Sequence, residues 1–123
     1  MIYVVIFIGG AIGGGLRYLS SFIISSNTFP FSTLSVNLIG ALLMGICSTY
    51  FIKYFKKHPY IQKMITTGFL GALTTYSSLS LETIHLLKSG QFILAFTYVT
   101  ISIILGFIFV ALGYKKGTEE KWY

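Results

Sequence analysis

The stretch Gly71-Ala-Leu-Thr-Thr-Tyr-Ser-Ser-Leu-Ser80 lies inside a run that otherwise reads as membrane core. Five of its ten residues carry aliphatic hydroxyls and a sixth is a tyrosine. Hydroxyls bond back to their own helix and bend it. Non-helical backbone at membrane depth survives only where it is buried in protein or faces water. Two readings follow. One is a kinked, tightly packed helix whose hydroxyls are internally satisfied. The other is a broken helix that offers carbonyls to a cation and hydroxyls to an anion, as interrupted helices do at ion sites.

The surrounding chain requires a lipid solvent. It has 123 residues, of which 54% are hydrophobic and 10% charged; soluble domains carry about a quarter charged residues. Its mean hydropathy is +0.79. A chain this short cannot cover so much apolar surface with its own polar groups.

Four segments approach the roughly 20 apolar residues needed to cross a bilayer. They run from about 2–24, 32–52, 64–87 and 91–113, with a polar, frayed tail at 114–123. The breaks carry turn chemistry: "SSNTFPF" (25–31), the basic "KYFKKHPYIQK" (53–63) and "KSGQ" (88–91). No linker separates domains, so the expectation is one all-α membrane domain of four helices, the third of them broken. The opening "MIYVVIFIGG" lacks a basic leader region and is read as a retained span rather than a cleaved signal.

Charge sets an expected orientation. Lys53, Lys56, Lys57, Lys63, Lys115, Lys116 and Lys121 fall on one side of a four-span layout; Arg17 and Lys88 fall on the other. The positive-inside rule then places both termini in the cytoplasm.

The same counts exclude several classes. The net charge of +6 resides in loops, not in a basic stripe, so nucleic acid is not an expected partner. Cys47 is the lone cysteine, and His58 and His85 are isolated, so there is no disulfide framework and no metal spacing. Nothing resembles a nucleophile–base pair or paired catalytic carboxylates, so enzyme function is not expected. "GGAIGGG" (9–15) has neither the strand before it nor the acid after it that a dinucleotide loop needs. Its Gly9/Gly13 and Gly10/Gly14 pairs instead suit close helix contact in a membrane.

Three polar residues inside spans stand out, because such residues are costly in lipid. Arg17 lies about 22 Å along the first helix, where it either snorkels to headgroups or faces a water-filled vestibule. Glu82 lies towards the same end of the third span and either pairs with Arg17 or reaches the interface. Asn37 either makes a helix–helix hydrogen bond or lines a pore as a donor.

"GGAIGGGLRY" (9–18), "STLSVNLIGALLMG" (32–45) and "TGFLGALTTYSSLSLE" (67–82) together resemble the CrcB or Fluc fluoride-channel family in order, spacing and layout. The resemblance covers the chain to about Gly113. It implies an antiparallel dimer with two fluoride-selective pores in a bacterial plasma membrane. It implies a structural Na⁺ at the dimer centre, held by the backbone carbonyls of Gly71 and Thr74. It places Asn37 in the pore, Arg17 and Glu82 at vestibular or structural positions, and the hydroxyls of Thr75, Ser77 and Ser78 with Tyr76 near the anion path. It implies passive export of fluoride that has entered as neutral hydrogen fluoride.

The chain departs from the family pattern Thr-Thr-Phe-Ser-Thr-Phe. Tyr76 stands at the first phenylalanine and Leu79 at the second. Tyrosine keeps a ring edge for an anion; leucine does not. Span four offers Tyr98, Thr100 and Ser102, but "IILGFIFVALG" (103–113) has no hydroxyl. An antiparallel homodimer needs one sequence to insert both ways, which a seven-to-two charge bias opposes. Both features suggest pairing with a homologous second chain, in which this subunit is a half-functional or non-conducting partner. A small multidrug-resistance transporter has a similar outline but relies on an acid in its first span, where this chain has Arg17.

Overall fold

The computed structural model describes residues 1–119; Lys121 of the charge count lies outside the described residues. Helix α1 is Ile2–Ile23. Helix α2 runs Phe31–Lys57, with a widened π-helical stretch at Cys47–Phe51 and a tightened last turn at Phe55–Lys57. Helix α3 starts with Pro59 in its first turn, widens over Met64–Leu70 and stops after Gly71–Leu73. Helix α4 is Tyr76–Lys88 and helix α5 is Phe92–Glu119. No strand forms among the described residues.

Three helices, α1, α2 and α5, are each long and apolar enough to cross a membrane. The expected third span is divided: α3 ends at Leu73 and α4 has 13 residues, so neither piece is long enough to cross alone. The last helix also differs from expectation. The tail expected from residue 114 is helical through Glu119. Lys115 pairs with Glu119 one turn away at 3.7 Å, and Gly117 lets this turn lie against Thr49. Likewise α2 continues past residue 52 through its lysines, because a basic turn suits a helix C-terminus.

Two glycine contacts set the packing. At Gly9 and Gly13 of α1 an added Cβ would strike the backbone carbonyls of Met64 and Phe69. At Gly45 of α2 and Gly113 of α5 it would strike the carbonyls of Val110 and Leu42. Each pair of helices therefore meets backbone to backbone, the contact that membrane association favours. These contacts align the ends. The start of α1, the α2–α3 junction and the end of α5 share one end of the bundle. The 24–30 loop and the 89–91 turn share the other.

That second turn is compact. Gly90 has φ 74°, the one positive φ among the described residues. Its N–H bonds the Leu87 carbonyl at 3.1 Å and the Gln91 N–H bonds the Leu86 carbonyl at 2.9 Å. This paired closure ends α4 and lets α5 begin at once.

The buried interior is small. Leu34, Leu86, Ala95 and Tyr98 form one cluster and Val36, Cys47, Leu70 and Leu73 another. Large side chains such as Phe7, Phe22, Ile93, Phe96 and Phe107 are exposed, as expected where lipid is the solvent.

Candidate functional site

The site is built where α3 stops. Thr74 (φ −80°, ψ 149°) and Thr75 (φ −148°, ψ 121°) are extended. α4 then restarts with Thr75 as its N-cap, whose Oγ1 accepts the Ser78 N–H at 3.1 Å. An N-cap threonine satisfies one of the donors that every helix start leaves open.

The break leaves carbonyls without helical partners. Thr74 N–H still reaches the Leu70 carbonyl at 3.1 Å, and the Thr74 hydroxyl donates to the same oxygen at 3.0 Å. Beyond that point the pattern ends. In a continuous helix the Gly71 carbonyl would accept from the Thr75 N–H. Here the Thr75 N–H donates to Asn37 Oδ1 at 2.8 Å. The N–H due to Thr74's carbonyl belongs to Ser78, which is bonded to the cap. Gly71 is exposed on the surface of the chain.

Asn37 of α2 closes the break from the other side. Its Nδ2 donates to the Thr75 carbonyl at 3.0 Å. One amide side chain thus satisfies both backbone groups of Thr75, leaving it one further N–H and a share of its oxygen lone pairs. One turn along α2, Gly40 lies against the methyl of Thr74, where a Cβ would collide. Asn37 and Gly40 together seat α2 on the extended pair.

The hydroxyls divide into two groups. Those of Thr74 and Ser80 bond back to carbonyls of Leu70 and Tyr76, as does Thr83 to Leu79. Those of Thr75, Ser77 and Ser78 bond one another, with Thr75 Oγ1 at 3.0 Å from Ser77 Oγ and 3.3 Å from Ser78 Oγ. Asn37, Thr75, Ser77 and Ser78 are therefore brought together. Tyr76 points off the chain and is 81% exposed. Leu79 is partly buried and packs on the cluster that contains Tyr98.

Glu82 does not meet Arg17, contrary to one of the expectations above. The one ion pair among the described residues is Lys115–Glu119. Glu82 Oε1 accepts from the Thr33 hydroxyl at 2.7 Å and Oε2 from the Tyr98 hydroxyl at 2.6 Å. The short distances are those of hydrogen bonds to a charged acceptor. Thr33 and Tyr98 are buried, Tyr98 completely. The carboxylate ties α2, α4 and α5 together. It also lines a cleft of about 430 Å³ with Ser21, Asn27, Ser32, His85 and Gln91 at the 24–30 end.

Sequence reasoning passed over Thr33 and Tyr98 as partners of Glu82. One signal was available: Thr33 lies four residues before Asn37, on the same face of α2. Tyr98 gave none, since a tyrosine in an apolar run is ordinary.

A CrcB family model, described as CrcB-like protein, Camphor Resistance, matches residues 4–114. The chain belongs to the CrcB family. Among CrcB relatives, the Fluoride-specific ion channel FluC 1 of Staphylococcus aureus strain NCTC 8325 is 48% identical over 117 residues, covering 95% of this chain and 97% of its own. FluC 2 of Staphylococcus saprophyticus is 45% identical over 119 residues, covering 97% and 98%. FluC 1 of Staphylococcus epidermidis strain RP62A is 43% identical over 117 residues, covering 95% and 97%.

Proposed function

We propose that this CrcB chain is a subunit of a fluoride-selective channel in a bacterial plasma membrane, exporting cytoplasmic fluoride passively. The observation that carries the reading is the 48% identity, over nearly the whole of both chains, to a protein named for fluoride-specific conduction. The site supports it chemically. Fluoride is small and strongly hydrated, and removing its water requires replacement donors, because a buried unpaired ion is very expensive. The remaining Asn37 N–H, the cluster of Thr75, Ser77 and Ser78, and the N–H groups that open α4 supply donors at one place. The ring edge of Tyr76 adds a weakly positive rim.

In this reading α3 and α4 cross the membrane as one interrupted span, giving four crossings with both termini in the cytoplasm. The break offers opposite polarities on its two sides. α4 presents N–H groups to an anion, and α3 presents carbonyls to a cation. A structural Na⁺ fits the carbonyl side: it is a hard cation that takes oxygen ligands, and the carbonyls of Gly71 and Thr74 lack their helical donors. An exposed Gly71 suits a site completed by a second subunit in an antiparallel dimer. Na⁺ would supply a fixed positive charge between the subunits and hold the two breaks together. Thr33 and Tyr98 fix the Glu82 carboxylate, which lines the cleft at the 24–30 end of the bundle.

A second reading, that the partner is a homologous chain and this subunit conducts poorly, is favoured by Leu79. Its side chain packs into the interior cluster, so this position offers an anion no aromatic edge. Growth of a fluoride-sensitive bacterium tests the proposal. Expression of the chain, alone or with its homologous partner, restores growth in fluoride. Membrane-inserted protein that restores no growth in either arrangement contradicts it.

A further inference from the structure

We infer that Asn37 is a positioning residue for the cation site: by capturing the Thr75 N–H it keeps the Gly71 carbonyl free. The inference rests on the proposed sodium at the break. The N–H of residue 75 is the natural partner of the carbonyl of residue 71 in any continuous helix. Thr75 is buried, so its N–H and carbonyl must find partners within the protein. Asn37 supplies both, at 2.8 and 3.0 Å. The side chain acts as a peptide group laid beside an extended residue, accepting from its N–H and donating to its carbonyl.

Without that amide, Thr75 has two buried, unpartnered backbone groups. The nearest remedy is to continue α3 through residues 74 and 75. Thr75 would then donate to the Gly71 carbonyl, consuming a cation ligand, and would give up its capping of Ser78. The packing of α2 agrees with this role. Gly40, one turn beyond Asn37, makes room for Thr74 in its extended position. A residue whose sole task was to face an anion would not need both its amide atoms on the same backbone unit.

The experiment reads sodium binding apart from conduction. The purified chain, with its partner if the pair is needed, is melted in sodium chloride and in N-methylglucamine chloride across a concentration series. Fluoride efflux from liposomes is measured in parallel. The unmodified protein is stabilised by sodium. Asn37→Leu, of similar size but without hydrogen-bonding groups, weakens apparent sodium affinity by about tenfold or more, because the Thr75 N–H, left without an acceptor, competes for the Gly71 carbonyl. Asn37→Asp, which keeps an oxygen for the Thr75 N–H, retains the sodium response even where its efflux is lost. It also carries the test if Asn37→Leu does not fold, since loss of the response in a folded Asn37→Asp overturns the inference. So does an unchanged sodium response in Asn37→Leu with efflux abolished, because Asn37 would then act on the anion alone. Absence of any sodium response in the unmodified protein overturns the sodium reading itself.

Discussion

Replacing Tyr98 by phenylalanine isolates what the Glu82 carboxylate contributes. Tyr98 is fully buried, and its hydroxyl lies 2.6 Å from Glu82 Oε2. The substitution removes one oxygen and leaves the ring, including its edge-on contact with Phe29 at 5.4 Å. A hydrogen bond to a charged group contributes about 1.5–3 kcal/mol, against about 0.5–1.5 kcal/mol for a neutral pair. Tyr98→Phe therefore costs about 2 kcal/mol in the native background and about half that when Glu82 is already glutamine. Removing the second donor with Thr33→Val in the same chain leaves the carboxylate with neither partner. The double variant departs from the sum of the two single ones, since the three groups form one network. The assay is thermal or denaturant unfolding in detergent across the cycle. Equal costs for Tyr98→Phe beside Glu82 and beside Glu82→Gln would refute the reasoning, because the tyrosine would then act through packing alone.

Other expectations follow from the same geometry. In Gly13→Ala the new Cβ strikes the backbone carbonyl of Phe69, which cannot turn aside as a side chain could, so α1 and α3 must separate. The variant loses about 1–3 kcal/mol, whereas Gly14→Ala, with nothing within 4 Å, is neutral or more stable in the same melt. Thr75→Ala removes the cap on Ser78 and costs about 1 kcal/mol, while the Asn37 bonds to its backbone persist and α4 remains helical by circular dichroism. Tags on the termini, probed for accessibility in cells, report mainly cytoplasmic ends; comparable amounts of both orientations would remove the charge argument for a heterologous partner.

The helical class was readable before any coordinates, for a physical reason, whereas the hydroxyl-rich stretch left a kink and a break both open. Apolar runs need about 20 residues to cross lipid, and a hydroxyl-rich stretch within one signals an unusual backbone. The extent of the helices was harder to read. Lysines end a hydropathy run but not a helix, so α2 continues to Lys57 and α5 to Glu119. The polar partners were least legible, because they depend on docking rather than on local pattern. Glu82 was noticed as costly, yet its partners sit 49 and 16 residues away on two other helices. Asn37 was noticed as well, but that both its amide atoms serve Thr75 follows only from how α2 lies across the extended pair. That Tyr76 is exposed while Leu79, three residues on, packs inward depends on how α4 docks, which no residue count would reveal.

The most direct test of fluoride conduction is efflux from liposomes that contain the purified chain, alone and then with a candidate homologous partner, read with a fluoride electrode. Fluoride leaves rapidly without an imposed proton gradient, while chloride loaded in the same vesicles is retained. Folded protein that releases no fluoride in either arrangement, or releases chloride as readily, would contradict the account.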